Sequence, residues 1–503
     1  MEQIAGILIL KGNKTYGRAK TTTNKPGKLL YKFIPNDSSL QPVLVPYEIK
    51  HLGFSKVQEN LYVIISNENK LLEVIGPVTS NESYYEYQLY CANLSESLNS
   101  FKNAIINKLK NISDPIEEIK CKYKLETRTD LSWYVFSIDP EGSKDFDDAF
   151  SIKILPNTDI LLSIYIANVP IWLDFLGLSD ELTKVSTIYL PHKKYPMLPT
   201  ILSDDLCSLW AKKPRIAFTL DLQIDNLGNI INKTFSNTLI WVRKNWTYDD
   251  PNLLTNESYM LLLKTICLTQ KVSSPGTNKI IDSHKLVEHL MIQMNCICGQ
   301  ILFEHKLDAI YRQVAFDSEK LDIPESVPED IADTIQIIRN AKSAYIKNIT
   351  DLPIMHKLLK LESYIHITSP IRRIVDIINM GLIQKLYSLV NFNKEFNNFL
   401  QKWTQDKQIQ YINQKSKKIR SVQSKCNLLN WITSNYIPNT ILEGYVIDKT
   451  TFYIGQYKLQ CKLPALLTSN INIYSKYLCK LYIFEDGENL KKKIRVDIID
   501  YQM

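Results

Sequence analysis

The sequence predicts an α+β multidomain protein in which a central mixed α/β domain is flanked by small OB-type β-barrels. Residues 1–82 and 437–503 contain short apolar segments separated by turn residues, and residues 83–124 have a helical pattern. Residues 125–436 pass from alternating strands into a long helical region. A chain of 503 residues is long enough for about three or four domains. Its 45% hydrophobic and 22% charged residues are typical of a globular protein.

The first predicted barrel consists of five short strands, and turn residues such as those at 26–27 and 36–37 separate the first three. Five short strands within this length are typical of an OB-type barrel. From residue 441 onward a similar strand pattern predicts a second small barrel. The strands predicted for the first barrel are 4–10, 29–34, 41–45, 61–65 and 71–75.

Composition and charge restrict the classes of function. No run of about 18 uncharged apolar residues occurs, so we expect no transmembrane helix and no membrane partner. The first residues include Glu2 and lack a basic stretch, so we expect no secretory signal. The nine scattered cysteines favour reduced thiols in a cytoplasmic, intracellular setting, with a virus-encoded or organellar origin left open. The net charge of +7 is compatible with a polyanionic partner.

Residues 137–150, SIDPEGSKDFDDAF, carry four aspartates within a short distance along the chain. These carboxylates repel one another unless a cation offsets their charge. Mg²⁺ binds through a few carboxylates together with water and substrate phosphates, and Mn²⁺ is an alternative ion. The sequence therefore predicts a metal site at Asp139, Asp145, Asp147 and Asp148.

The simpler alternative for these aspartates is a solvated surface turn, because Pro140 and Gly142 are turn residues. The flanking residues favour the metal site instead. Residues 134–138 form an apolar run typical of a buried strand, and residues 149–154 alternate as a second strand does. The aspartates are then held between two buried strands, where a cation is needed. A metal ion in such a site indicates attack by water on a phosphodiester.

Residues 364–376, YIHITSPIRRIVD, form a second informative segment. The Ser-Pro step at 369–370 predicts the start of a helix, with serine as the N-cap. Arg372 and Arg373 would then lie in the first turn, where the helix dipole disfavours cations. A phosphate docked at the helix start explains them better, with Asp376 bracing Arg372. The alternative is a structural ion pair with Asp376.

A third segment, residues 186–209, reads STIYLPHKKYPMLPTILSDDLCSL. Its three prolines exclude a continuous helix, so we expect an extended, rigid segment. Tyr189 and Tyr195 on such a segment are suited to stacking on the bases of a single strand, although packing is the common alternative. Asp204 and Asp205 are expected to cap a helix rather than bind metal.

A fourth segment is a predicted amphipathic helix over residues 283–302. His284 and Glu288 are one helical turn apart on one face, which is a spacing that a metal pair can use. With no further ligand predicted, a cap and a buried hydrogen-bond network are the preferred interpretation.

Taken in order, these segments resemble the RNase II/RNB family of exoribonucleases, and among its members the Dis3-like and virus-like ones. The resemblance covers about residues 125–430 and rests on SIDPEGSKDFDDAF, IYLPHKKYPMLPTILSDDLCSL, DSHKLVEHLMIQMN and YIHITSPIRRIVD. It implies an RNB catalytic domain over 125–436, a cold-shock-like barrel over 1–82 and an S1-like barrel over 437–503. It also implies processive 3′→5′ hydrolysis of single-stranded RNA to nucleoside 5′-monophosphates.

The same resemblance implies roles for individual residues. The four aspartates hold Mg²⁺, and Asp147 is the one most essential to chemistry. Arg372 contacts the scissile phosphate, and Tyr189 stacks on the 3′-terminal base. Further substrate contacts are expected from Tyr248, Glu288 and Arg373.

The sequence also departs from the family pattern. After the aspartates the family usually has a histidine and an aspartate, where this chain has Tyr165 and Asn168. After the arginines it usually has His-Arg, where this chain has Met380 and Gly381. None of these replaces one of the four aspartates, so activity is expected to survive.

Two hypotheses remain. The first is an active Mg²⁺-dependent exoribonuclease, and the second is a catalytically inactive RNB-like protein that binds RNA as a regulator. A phosphotransferase or polymerase is disfavoured, because the sequence lacks the P-loop lysine motif. The RNA targets, the number of metal ions, the protein partners and the oligomeric state, a monomer included, are left open.

Overall fold

A computed structural model describes residues 3–20, 26–49, 58–273, 282–316, 321–347, 356–435, 441–463, 471–485 and 492–501. Over these ranges the chain forms a five-stranded, a six-stranded and another five-stranded sheet, two further strand pairs, and ten α-helices. The fold class is therefore α+β, with two OB-type sheets flanking a mixed central region, as predicted.

The N-terminal sheet contains all five predicted strands. They are β1 (Gln3–Leu8), β2 (Leu29–Pro35), β3 (Val43–Tyr47), β4 (Leu61–Ser66) and β5 (Leu71–Pro77). The first strand is central, because it pairs antiparallel with both β2 and β4, giving the order β3-β2-β1-β4-β5. Leu8, Phe33 and Val63 fill the interior with no exposed surface. Their burial stabilises this half-barrel through the hydrophobic effect.

Three helices connect this sheet to the central region: α1 (Asn81–Cys91), α2 (Asn99–Leu109) and α3 (Pro115–Tyr123). Helix α3 begins where the sequence supplies both a cap and a proline, since the Asp114 carboxylate accepts from two backbone N–H groups and Pro115 follows it. Tyr87 of α1 stacks on Tyr62 of β4 at 4.2 Å between ring centroids. The linker is thus packed against the barrel that precedes it.

The central sheet has six strands in the order β12-β9-β8-β7-β13-β6. They are β6 (Glu126–Arg128), β7 (Val135–Asp139), β8 (Asp148–Ile154), β9 (Ile160–Ala167), β12 (Pro214–Ile224) and β13 (Ile230–Thr247), and β10 (Ile188–Tyr189) and β11 (Lys194–Tyr195) form a separate hairpin. The long β13 pairs antiparallel with β12 over its first part and parallel with β7 over its last part. The five strands β12, β9, β8, β7 and β13 therefore close on themselves, and β6 pairs with β13.

Both faces of this sheet are covered. Along β8, Ala149 packs into one core and Phe150 into the other, and Tyr165 and Ile166 of β9 alternate in the same way. The first core contains helices α4 (Val169–Leu176), α8 (Ile374–Leu386), α9 (Lys394–Trp403) and α10 (Asp406–Asn435), and the second contains α5 (Glu257–Ser273) and α6 (Ser283–Glu304). Strands buried on both faces have the near-continuous apolar runs that the sequence shows.

Helix α6 is long and apolar enough to cross a membrane by length and composition, with a mean hydropathy of 1.3 over its apolar window. Half of that window is buried inside the protein. Leu286, Leu290 and Met294 are fully buried against the sheet, as expected for a helix that belongs to a core.

Between α6 and α8 lie helix α7 (Glu329–Asn340) and an antiparallel strand pair, β14 (Ile310–Phe316) and β15 (Ala341–Lys347). The C-terminal sheet contains β16 (Leu442–Asp448), β17 (Thr451–Ile454), β18 (Leu459–Lys462), β19 (Lys476–Glu485) and β20 (Lys492–Tyr501). Its order, β18-β17-β16-β19-β20, has the same connectivity as the N-terminal sheet, because its first strand is again central. The second predicted barrel is therefore present.

Two local predictions were wrong. The helix predicted to begin at Ser369 begins at Ile374, and residues 369–372 form a turn in which the Ser369 carbonyl accepts from the backbone N–H groups of Arg372 and Arg373. Neither arginine lies in the first helical turn, so the helix dipole does not disfavour their charges in the way predicted. Asp204 and Asp205 do not cap a helix but lie within the single π-helical turn Leu202–Leu206.

Candidate active site

The aspartate-rich segment is a tight loop between β7 and β8. Gly142 has a φ of 77°, a conformation that favours glycine, at the turn after Pro140. The fully buried Ser208 fixes the rest of the loop, since its hydroxyl donates to the Lys144 carbonyl at 2.8 Å and accepts from the Phe146 N–H at 2.9 Å. The end of the loop that carries Asp147 is therefore fixed by the protein, whereas its tip at residues 140–142 is exposed, as in a solvated turn.

Asp147 is paired with Arg372 at the centre of the site. Its carboxylate is 4% exposed and accepts from the backbone N–H of Ile371 at 2.9 Å and from Arg372 Nε at 3.2 Å. Arg372 also donates to Ser369 Oγ at 2.9 Å, and its side chain is still 46% exposed. One edge of the guanidinium is thus fixed while much of it can contact a ligand.

The predicted contact between Asp376 and Arg372 was wrong. Asp376 is fully buried and pairs with Arg373 at 2.9 Å, and it also accepts from the Ser369 N–H at 2.7 Å. The structural ion pair considered as an alternative is therefore present at Arg373. This pair stabilises the turn that presents Arg372 to the site.

Asp139 and Asp148 lie at the ends of the two strands, and each has one buried carboxylate oxygen without a hydrogen-bond partner among the described residues. Burial raises the pKa of both carboxyls, and their mutual repulsion raises the pKa of Asp148 further. Burial also raises the pKa of Asp147 to about 7. Such a group of carboxyls is fully ionised at neutral pH only when a cation compensates it.

Asp145 has a partner that the sequence did not reveal. Lys194 of β11 places its ammonium 2.9 Å from Asp145 and 3.1 Å from Asp204, and the Tyr189 hydroxyl donates to the other Asp145 oxygen at 3.4 Å. Lys194 lies in the third quoted segment, but only the folding of the hairpin onto the loop brings it to Asp145. The free oxygens for a metal thus belong to Asp139 and Asp148.

Tyr189 is held next to Arg372 by backbone contacts. The N–H of Thr187 donates to the Arg372 carbonyl at 3.0 Å, and Ser186 forms an isolated bridge with Arg373. Tyr189 is 41% exposed. The structure therefore brings Tyr189 together with Asp145 and Arg372, with enough free surface for stacking on a base.

Tyr248 also borders the carboxylates. Its backbone N–H donates to the Asp139 carbonyl at 3.2 Å, and its ring stacks on His284 at 3.9 Å between centroids. Burial and the charges of Asp148 and Asp139 raise the pKa of Tyr248, so its hydroxyl stays protonated as a donor. Glu288 is exposed on α6, one turn beyond His284.

The described residues fit Mg²⁺ through the unpartnered oxygens of Asp139 and Asp148. Over the described ranges, no three His, Cys, Asp or Glu side chains form a complete metal cluster, and the considered pair of His284 and Glu288 is not part of one. Mg²⁺ in proteins is commonly bound by one or two carboxylates, with water and substrate phosphates as the other ligands.

The positions that depart from the family pattern have structural roles. Asn168 caps α4 and exchanges buried amide hydrogen bonds with Asn237 and Gln384. Tyr165 is buried, with its hydroxyl 2.9 Å from Ser151 Oγ. Met380 and Gly381 lie in the buried part of α8, where a Cβ on Gly381 would come within 3.0 Å of a leucine methyl of α9. These substitutions leave the carboxylates and Arg372 in place.

The chain resembles a known protein family and several named relatives. A family model described as RNB domain matches residues 128–259 and 254–389, which together cover more than half of the chain. Ribonuclease R of Mycoplasmopsis pulmonis is 26% identical over 387 residues, 64% of this chain and 53% of that protein. The chain spans about half the length of the curated relatives it matches.

Two solved structures share the fold. The structure of Mycoplasma genitalium RNase R in complex with ribose-methylated single-stranded RNA has a TM-score of 0.68 and 17% identity, covering 98% of this chain and 89% of that chain. Yeast Ssd1, a pseudonuclease, has a TM-score of 0.61 and 13% identity, covering 97% of this chain and 67% of that chain. At these identities the similarity establishes the architecture.

Proposed function

Because the chain belongs to the RNB family, we propose that it is a 3′→5′ exoribonuclease that degrades single-stranded RNA processively to nucleoside 5′-monophosphates with Mg²⁺. The observation that carries this proposal is the ion pair of the buried Asp147 with the half-exposed Arg372, beside two carboxylates with unpartnered oxygens. The relatives named Ribonuclease R support the same class of reaction.

Each residue has a separate task in this proposal. Asp139 and Asp148 would hold Mg²⁺, which when bound supplies a water of lowered pKa and stabilises charge on the phosphate oxygens. Arg372, fixed by Asp147 and Ser369, donates its exposed N–H groups to the scissile phosphate as charge develops on it. The fixed geometry matters because the guanidinium does not need to reorganise during the reaction.

Tyr189 and Tyr248 are the residues proposed to bind the 3′ end of the RNA. The half-exposed ring of Tyr189 is suited to the 3′-terminal base, and Tyr248 is a donor that borders the carboxylates. Arg373 is bound to Asp376, so its contribution to substrate is through the position of Arg372. Selection of RNA over DNA requires a hydrogen bond to the 2′-OH.

A catalytically inactive RNA-binding regulator is the second candidate. It is favoured by the similarity to yeast Ssd1, which is a pseudonuclease, and by the changed residues Tyr165 and Asn168. Against it, all four aspartates and Arg372 are retained and assembled.

The nine cysteines are free thiols, which supports our proposal of an intracellular, reducing location.

A product analysis separates the two candidates. The protein is incubated with 5′-labelled single-stranded RNA and Mg²⁺, with EDTA as the control, and the released nucleotides are identified by chromatography. The active enzyme gives stepwise shortening from the 3′ end and nucleoside 5′-monophosphates, and EDTA stops both. RNA that is bound but stays intact in Mg²⁺ supports the regulator instead.

A further inference from the structure

The hairpin of β10 and β11 carries two residues of the candidate active site. Tyr189 and Lys194 lie opposite one another on its two strands, and both contact Asp145. Over the described ranges each strand is only two residues long, and neither joins a larger sheet. A strand pair of this size is marginally stable by itself. Contacts with neighbouring elements must therefore hold Tyr189 and Lys194 in place.

The open end of the hairpin is fixed by the segment that carries Arg372. The Thr187 N–H donates to the Arg372 carbonyl at 3.0 Å, and the Thr187 hydroxyl accepts from the Met197 N–H at 3.0 Å. The turn of the hairpin, at residues 190–193, lies at its other end. There the Leu190 N–H donates to the Lys193 carbonyl at 3.1 Å, which closes the turn but does not attach it to the rest of the protein.

Glu86 of helix α1 makes that attachment. Its Oε1 accepts from the Tyr195 hydroxyl at 2.9 Å, and it also pairs with the Lys193 ammonium. Burial raises the pKa of Glu86, but the hydrogen bonds from Lys193 and Tyr195 bring that pKa below its usual range, so the carboxylate is ionised. Hydrogen bonds to an ionised acceptor are stronger than those between neutral groups.

The contact with Glu86 and the contact with the active site use consecutive residues of the chain. Successive side chains of a strand point to opposite sides. Lys194 therefore reaches Asp145. Its two neighbours, Lys193 and Tyr195, point the other way and reach Glu86. A displacement of the hairpin away from Glu86 thus moves the residues that contact the active site.

Two rings complete this contact. His192 Nε2 lies 3.0 Å from the Tyr195 hydroxyl, and the His192 ring packs against Tyr85 of α1 with 5.4 Å between centroids. Burial lowers the pKa of His192, and the charge of Lys193 lowers it further, so the ring is neutral where it meets Tyr85. Tyr195, which the sequence made a candidate for base stacking, is therefore a packing residue between the hairpin and α1.

Helix α1 is itself fixed on both sides of Glu86. Tyr87 stacks on Tyr62 of the N-terminal sheet, and the Tyr85 hydroxyl donates to Asn430 of α10 at 3.4 Å. Both Tyr85 and Tyr87 are buried. Glu86 is therefore a preorganised acceptor on a helix that is packed against the N-terminal barrel and against the helical part of the central region.

We propose that Glu86 is a positioning residue for the RNA 3′ end, which holds the hairpin so that Tyr189 is presented to the terminal base. The inference rests on the proposed function, because that function assigns Tyr189 to the 3′-terminal base. Glu86 acts through Tyr195 and Lys193 and does not contact the RNA itself. The helix that follows the N-terminal barrel thereby contributes to the substrate-binding geometry of the central site.

The test measures binding without hydrolysis, with the full chain in EDTA and a single-stranded RNA whose 3′-terminal base is the fluorescent analogue 2-aminopurine. Stacking on an aromatic ring quenches this base. Glu86→Ala removes the whole contact, and Tyr195→Phe removes only its hydroxyl, with the helix unchanged. The control is Glu117→Ala, which removes the same charge from a carboxylate that pairs with Lys120 at the surface of α3.

We expect Glu86→Ala to weaken RNA binding about threefold to tenfold, a part of the contribution of one stacked base, and to restore the fluorescence of the terminal base. Tyr195→Phe should change both quantities in the same direction by a smaller factor. Glu117→Ala should match the unchanged protein, so that a general effect of charge on RNA binding is separated from the contact.

A double-mutant cycle distinguishes positioning from a general loss of structure. In the Tyr189→Ala background, Glu86→Ala should cause no further loss of binding, because the ring that it positions is absent. A loss of equal size in both backgrounds, or terminal-base fluorescence that Glu86→Ala and Tyr195→Phe leave unchanged, overturns the inference while leaving the exoribonuclease intact. Absence of any RNA binding by the unchanged protein contradicts the proposed function itself.

Discussion

Lys194 pairs with Asp145, one of the four aspartates of the proposed metal site. Its ammonium lies 2.9 Å from Asp145 and 3.1 Å from Asp204, and the three side chains are only 23%, 15% and 23% exposed. Replacement by methionine keeps the bulk of the side chain and removes the charge. Asp145 then becomes a free carboxylate beside Asp139 and Asp148, so we expect Lys194→Met to bind a divalent cation more tightly.

The magnitude follows from the contact that is lost. A pair of unit charges at about 4 Å interacts by roughly 4 kcal/mol at an effective dielectric constant of about 20, which is an upper bound. A charge-assisted hydrogen bond contributes about 1.5–3 kcal/mol net. If Asp145 gives up this contact with Lys194 and binds the metal instead, the same free energy makes the divalent cation bind roughly tenfold to hundredfold more tightly. Without metal, the two unpaired carboxylates should lower the free energy of unfolding by about 1–3 kcal/mol.

The assay is Mn²⁺ binding in the absence of RNA, followed by the electron paramagnetic resonance signal of the free ion. Lys194→Arg keeps the cation and should match the unchanged protein. Adding Asp145→Asn to Lys194→Met should remove the gain, because the unmasked carboxylate is gone. If Lys194→Met binds Mn²⁺ no more tightly than Lys194→Arg, the reasoning that Lys194 occupies Asp145 is refuted.

Three further variants test other parts of the account. Ser208→Ala leaves the buried Phe146 N–H without its acceptor, so urea unfolding should show a loss of about 1–3 kcal/mol, and no loss would contradict the role of Ser208 in fixing the loop. Asn168→Ala removes the α4 cap and two buried amide partners and should cost about 2–3 kcal/mol in the same assay, whereas a neutral effect would mean that the position is not structural. Tyr189→Ala should weaken RNA binding in EDTA by about 1–3 kcal/mol while Tyr189→Phe keeps it, and equal behaviour of the two variants would exclude stacking.

The sequence predicted those parts of the fold and site that depend on local pattern. The apolar residues before and after the aspartates identified β7 and β8 because a strand buried on both faces has a nearly continuous apolar run. The two outer sheets were predicted for a similar reason, since short strands and turn residues follow one another along the chain. The aspartates themselves were found because four carboxylates in one short stretch are unusual without a cation.

The errors arose where distant residues decide the local structure. Ser369 was predicted as an N-cap, but its hydroxyl accepts from Arg372 and its N–H donates to Asp376, so the segment closes into a turn before the helix begins. Lys194 was not assigned to the site because the hairpin carrying it reaches Asp145 only in the folded chain.

The most direct test of the central claim is a single-turnover comparison of the unchanged protein with Asp147→Asn on 5′-labelled single-stranded RNA in Mg²⁺. Both proteins should bind the RNA, because Tyr189 and the exposed part of Arg372 remain. We predict stepwise 3′ shortening by the unchanged protein and a loss of at least about a hundredfold in rate for Asp147→Asn, the order of magnitude expected when a preorganised electrostatic contact is removed. RNA that stays intact with the unchanged protein, or equal rates for the two proteins, would contradict the account.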